Sequence, residues 1–283
     1  FKQKTAYEIR LSLVGSEMCI ETDEELWAVR HQLKKELIAF ARERTLKRHA
    51  RLNTPPIAWP LLNENTLTIG FARRFATYKR ATLLFRDADR LRYIINRSDR
   101  PIQIVFAGKA HPADHPGKIF IQQVYQMSQQ YGFAGRIVFL EEYDMCVARY
   151  LVHGVDVWLN TPRRPHEASG TSGEKASLNG IINCSILDGW WPEAYNGRNG
   201  WSIGEEREYP NQDEQDWNDS QHLYHILEHE MSALYYDRPD GIPRGWIARV
   251  KEAIATIAPV FSTRRMVKEY AERLYLPAAG VKS

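Results

Sequence analysis

Five short apolar runs rich in β-branched residues, each followed by a loop and a helical stretch, most constrain how this chain folds. They are Leu67 to Phe71, Ile102 to Phe106, Ile137 to Leu140, Val155 to Leu159 and Ile181 to Leu187. A strand that is apolar on both faces must be covered on both faces. Alternation with helices supplies that cover, so the runs predict a doubly wound, Rossmann-like parallel α/β sheet. With 43% hydrophobic residues in 283, the chain has core material for one large or two ordinary domains. No window approaches eighteen consecutive apolar residues, which argues against a helical membrane span.

Lys plus Arg at 38 nearly balance Asp plus Glu at 35, so an anion must be bound by local clustering of basic residues. A polyelectrolyte role on nucleic acid does not fit this balance. Cys19, Cys146 and Cys184 form no CxxC, which points to a reducing, cytoplasmic setting without a disulfide framework or zinc-thiolate site.

The chain divides by pattern. Residues 1–21 read either as non-native sequence ahead of the reading frame or as an ordinary flexible terminus. Thr22-Asp23-Glu24-Glu25 has capping-box form and opens an amphipathic helix to about Arg48, with Arg30, Lys34, Lys35, Arg42 and Arg44 expected on its outer face. A Pro-rich stretch, 53–60, ends that linking segment. The α/β domain is expected over 61–261, with helices near 219–236 and 244–258, and a terminal helix and tail over 262–283.

Ligands of such sheets bind beyond the carboxyl ends of the strands, so the loops there carry the chemistry. One loop, Glu167-Ala168-Ser169-Gly170-Thr171-Ser172-Gly173-Glu174-Lys175, places glycines and hydroxyls ahead of a helix expected to start near Gly173. Backbone N–H groups and the helix end then form an anion cradle, with Lys175 in the first turn. Its spacing is not that of a P-loop. By spacing alone, Lys175 is either a solvated surface lysine or a functional one. A second group, Arg73, Arg74, Lys79 and Arg80, packs four cations into eight residues after the first strand. A charge run is usually a solvated face, but here its place and density suit two neighbouring phosphates.

The segment from Glu167 to Gly180, with Leu187-Asp188-Gly189, resembles the cofactor-lysine segment of the α-glucan phosphorylases. These are glycosyltransferases of GT-B architecture that use pyridoxal phosphate. Agreement continues through Ile69 to Lys79, Phe106 to Pro112, Phe139 to Tyr143 and Asn160 to Pro165. The Asp-Gly-Trp-Trp string at 188–191 and Tyr-Asn-Gly-Arg-Asn-Gly-Trp at 195–201 bring it nearer the shorter bacterial and archaeal branch. The resemblance implies that this chain is the carboxyl-terminal, cofactor-binding domain of such an enzyme. It implies Lys175 as the cofactor lysine, and Arg73, Thr171, Gly170 and Ser172 around the cofactor phosphate. Tyr143 would pack against the cofactor ring. Arg74 and Lys79 would bind the substrate phosphate, and Glu167 with Ala168, Ser169 and Gly170 the transferred glucose. Its implied substrates and product are α-1,4-glucan, inorganic phosphate and glucose 1-phosphate, and its implied assembly a homodimer. An amino-terminal domain that closes the cleft has no room here, so the chain alone is expected to be inactive. The terminal helix would cross to that domain and expose its apolar face.

Three positions depart from the animal members of that family: Arg73 in place of Lys, Asp144 in place of Arg, and Glu174 in place of a neutral residue. Helical geometry predicts that Glu174 faces away from the cofactor position. Two other readings compete. A nucleotide-sugar glycosyltransferase of the glycogen-synthase kind shares the basic cluster but carries Glu where this chain has Lys175. A catalytically silent glucan-binding fragment is the other. His225-Ile-Leu-Glu228-His229 has the form of an inverted zinc-peptidase motif, yet no other ligand supports it, and no metal is expected, there or at His111 and His115. Trp190, Trp191, Tyr195 and Trp201 either stack on sugar rings or pack beneath a glycine-rich loop.

Overall fold

The computed structural model describes residues 22–54 and 61–280. The expectations for 1–21 and for most of the Pro-rich stretch, 55–60, lie outside the described residues. Helix α1, Asp23–Leu52, begins with the capping box read from sequence: the Glu25 N–H donates to Thr22 Oγ1 at 3.2 Å, and the Thr22 N–H donates to Glu25 Oε2 at 2.9 Å. Six strands follow: β1 Leu67–Ala72, β2 Ile102–Ala107, β3 Ile137–Leu140, β4 Val157–Asn160, β5 Ile182–Ile186 and β6 Gly200–Ile203. Between them lie α2 Ala88–Ile95, α3 His115–Ser128, α4 Met145–Gly154, α5 Thr171–Ser177 and the short α6 Trp191–Ala194.

The sheet order is β3-β2-β1-β4-β5-β6, with every neighbouring pair parallel. All residues of β1 to β5 are buried, the pattern that non-alternating apolar runs predict. Val155, expected in β4, instead caps α4 through its N–H to the Leu151 carbonyl at 3.2 Å, so that strand starts two residues later. β6 was not foreseen. It has four residues and opens on glycine, too short for any periodicity to register, and it holds its place through pairing with β5 and burial of Trp201.

The helical end differs in detail from expectation. Helix α7, Gln212–His225, starts seven residues early because the Asn211 side chain caps it, accepting from the Glu214 N–H at 2.9 Å. It runs through a wide turn, Ile226–Met231, into α8, Ser232–Tyr236; α9 spans Arg244–Ile257. Helix α10, Thr263–Tyr270, and the turns that extend it to Ala278 bury no residue. Met266, Val267, Tyr270 and Leu274 there are exposed, in line with the expected apolar face.

The outer face of α1 requires a correction. Arg30 and Lys34 are buried, because partners absent from the local sequence reach them. Lys34 Nζ lies 2.5 Å from Asp156 and donates to the Tyr235 hydroxyl at 2.6 Å. Arg30 donates to the carbonyls of His153 at 2.5 Å and Asn179 at 3.1 Å, and to that of Val155. Of the aromatic string, Trp190, Trp191 and Trp201 are buried as packing, with the ring of Trp190 5.1 Å from that of Phe261 and the ring of Trp201 5.7 Å from that of Trp246, while Tyr195 is half-buried with its ring 5.4 Å from that of Trp191.

Candidate active site

The chain leaves β1 toward β2 on one side and returns to β4 on the other, so the crevice beyond β1 and β4 is the topological switch point. The loop after β1 is tied to the one after β2 by the Arg73 N–H to the Ala107 carbonyl (3.3 Å) and the Phe75 N–H to the Lys109 carbonyl (2.9 Å). Phe75 is fully buried against Phe71 and Phe139, which leaves the basic residues on either side of it to face the crevice or its walls.

The four cations do not act as one cluster. Arg80 turns away: it donates to the carbonyls of Thr161 at 3.0 Å and Pro162 at 2.9 Å and to Asp216 at 2.8 Å, and lies 2.7 Å from Asp219. It joins the loops after β1 and β4 to α7, and is structural. Burial raises the Asp219 pKa, with Arg80 opposing. Arg74 is exposed and makes no ion pair among the described residues.

Arg73 and Lys79 meet at one atom. Glu167 Oε2 accepts from Arg73 Nη2 at 2.6 Å and also from Lys79 Nζ, and the three side chains are 8%, 8% and 10% exposed for Arg73, Lys79 and Glu167. Arg73 Nε and Nη1 are buried without a hydrogen-bond partner. Burial lowers the Arg73 pKa, with the Glu167 carboxylate pulling the other way. Tyr143, on the loop after β3, is half-buried; burial raises its pKa and the Arg73 charge opposes that rise.

The backbone of the Glu167 loop is pinned. The Glu167 N–H donates to Asp188 Oδ2 at 2.8 Å, and the Trp190 N–H donates to the Ser169 carbonyl at 2.9 Å. Gly170 adopts φ 94°, which lets the chain turn abruptly into α5. The helix starts at Thr171, two residues before the expected point, so Lys175 lies in its second turn. Lys175 is exposed, and its amine makes no ion pair among the described residues. Glu174, expected to face away, is the less exposed of the two; burial raises its pKa, and the Lys175 charge opposes that. Ala168, Ser169 and Thr171 are exposed on the same loop, while Ser172 Oγ accepts from the Trp158 indole N–H at 3.2 Å.

The sequence assigns no role to Asp188 or Asn183. Asp188 lies inside the Leu-Asp-Gly string and could have been suspected there. Asn183, on β5, is buried beneath α5 and braces it, donating to the Gly173 carbonyl at 3.1 Å and to Ser177 Oγ at 2.6 Å. His225 and His229 are more than half exposed, and no group of three or more metal-ligating side chains occurs among the described residues.

A family model described as carbohydrate phosphorylase matches residues 23–195. The chain belongs to the carbohydrate phosphorylase family. It is 51% identical to a maltodextrin phosphorylase of Thermococcus litoralis over 257 residues, 90% of this chain and 30% of that protein. It is 48% identical to a glycogen phosphorylase of Aquifex aeolicus over 258 residues, 89% of this chain and 37% of the relative. The muscle glycogen phosphorylase of Rattus norvegicus is more distant, 29% identical over 138 residues, 45% of this chain and 16% of that protein. The chain thus spans about a third of the length of these archaeal and bacterial phosphorylases, and it is more similar to them than to the muscle enzyme. The phosphorylase family is built on the GT-B fold, to which the parallel sheet of this chain conforms. No helix among the described residues is long and apolar enough to cross a membrane.

Proposed function

We propose that this chain is the cofactor-holding part of a cytoplasmic α-1,4-glucan phosphorylase, which with inorganic phosphate shortens the glucan by one residue and releases glucose 1-phosphate. One observation carries the reading: two buried cations, Arg73 and Lys79, converge on Glu167 at the switch point, beside the helix that presents Lys175.

The residues suit pyridoxal phosphate. Arg73 has two buried guanidinium nitrogens without partners, and the start of α5 offers main-chain N–H groups at Thr171 and Ser172. Arg73, Gly170, Thr171 and Ser172 would hold the cofactor phosphate, Lys175 would attach the cofactor, and Tyr143 would pack on its ring. Bound there, the cofactor would supply a phosphate that exchanges a proton with the substrate phosphate. Arg74 and Lys79 would orient inorganic phosphate, and Glu167 with the 168–170 backbone would orient the glucose being transferred. Anions gathered beside the sugar favour an oxocarbenium-like transition state, which is the physical use of so many phosphate-binding cations in one crevice. Lys175 stands where nucleotide-sugar enzymes carry glutamate, so family membership and chemistry favour phosphorolysis over that alternative. Catalysis would require the further length that the relatives possess, in which 61–261 is the cofactor domain, 262–283 the crossover helix and tail, and the assembly a homodimer.

The test is to incubate the chain with pyridoxal phosphate, reduce with borohydride and map the labelled peptide, with Lys175→Ala as control. Label on Lys175, lost in the variant, is expected. Label located elsewhere, or unchanged in Lys175→Ala, would remove Lys175 from this role.

A further inference from the structure

The shared oxygen of Glu167 implies more than a binding contact. Oε2 accepts from both Arg73 and Lys79, so any anion that takes Lys79 must compete with a carboxylate already there. That carboxylate can move without the loop moving, because the backbone is held by Asp188 at the Glu167 N–H and by Trp190 at the Ser169 carbonyl. Two cations share a single carboxylate oxygen, which leaves Lys79 only partly compensated, so a phosphate dianion satisfies Lys79 better than Glu167 does. A nearly buried carboxylate deprived of Lys79 needs new hydrogen-bond donors, and sugar hydroxyls are donors.

We propose that Glu167 is a displaceable carboxylate: inorganic phosphate takes Lys79 from it, the carboxylate so released accepts hydroxyls of the sugar, and the two substrates therefore bind with positive coupling. This rests on the phosphate and glucose assignments made above. It adds that Glu167 weakens phosphate binding when no sugar is present, and that sugar in turn tightens phosphate binding, since coupling between two ligands is reciprocal.

The experiment is calorimetric titration with inorganic phosphate of the chain first saturated with pyridoxal phosphate, which fills the Arg73 cradle, with and without glucose, for wild type and Glu167→Gln, with circular dichroism as the check on folding. Glutamine keeps the shape and removes the competing charge. Phosphate is expected to bind about tenfold tighter to Glu167→Gln, and glucose to tighten phosphate binding to wild type by about 5-fold or more and to the variant by less. Equal or weaker phosphate binding by a folded Glu167→Gln would overturn the proposal, while leaving the phosphate site itself standing. Phosphate binding by wild type that glucose leaves unchanged would also overturn it, and that arm needs no variant. Absence of phosphate binding in both proteins would overturn the anion-site assignment of Lys79 and the proposal together.

Discussion

Lys34 on α1 and Asp156, immediately before β4, form an ion pair 2.5 Å long whose side chains are 1% and 5% exposed. Asp156 also accepts from the Thr68 N–H at 2.8 Å, so one carboxylate ties α1 to the amino ends of β1 and β4. Burial depresses the Lys34 pKa, with Asp156 opposing, and raises that of Tyr235 beside it. Replacing Lys34 by Met leaves the carboxylate buried without its cation. A loss of about 3–5 kcal/mol is expected, measured by urea unfolding. A loss under about 1 kcal/mol would show that the pair does not hold α1 in place.

Arg74 and Arg80, six positions apart in one basic run, are expected to fail differently. Arg80→Met leaves the buried Asp219 without its ion-pair partner, while Asp216 keeps Arg163, and should cost about 3–5 kcal/mol of stability. Arg74→Ala touches no ion pair and should leave stability within about 0.5 kcal/mol while weakening phosphate binding. Thermal unfolding and phosphate titration of both variants would separate the roles. Equal destabilisation by the two would contradict the structure.

Gly189 adopts φ 62°, and a β-carbon there would come within 2.3 Å of the Ser169 carbonyl oxygen. Gly189→Ala should therefore push away the carbonyl that anchors the Glu167 loop and cost about 1–3 kcal/mol. Loss of pyridoxal phosphate retention should exceed that of a surface variant such as Arg198→Ala, as followed by cofactor absorbance after gel filtration.

Asp23, at the start of α1, is held below the ordinary carboxylate pKa by its hydrogen bond from Lys251 and its contact with Arg244. A depressed carboxylate contributes stability above its unfolded value, near 3.8, and loses it as pH falls through the folded value. Solvent screening limits the contribution to about 1 kcal/mol or less. The drop in melting temperature between pH 6 and pH 3 should thus be smaller for Asp23→Asn than for wild type. An identical drop would remove Asp23 from the clamp on α9.

Helix α10 and its extension bury nothing, so a chain ending after Ser262 should keep its melting temperature within the few degrees that about 0.5 kcal/mol represents. A larger fall would mean that the exposed apolar face is covered by another part of this chain in solution.

Much of the fold was legible because strand apolarity, the capping box and the loop order are local properties. The runs at Leu67, Ile102 and Ile137 began β1, β2 and β3 at the residues expected. β6 was not legible, since four residues beginning with glycine carry no period. The segments of the candidate site were legible from their placement after strands and from the phosphorylase resemblance. Lys175 stood out there only because its neighbours matched, for its spacing alone allowed a surface lysine.

The sequence by itself determined a parallel sheet, and put the candidate site residues in the loops after β1 and β4, because periodicity and chain order are written in one dimension. Only the tertiary structure decided which cations are which. Arg30, Lys34 and Arg80 look in sequence like solvated charges, yet are buried; Arg74 looks the same and is exposed. The difference is the partner: Arg80 meets Asp216 from 136 positions away. A buried charge is tolerated only where such a partner arrives, and that is a property of the folded chain alone.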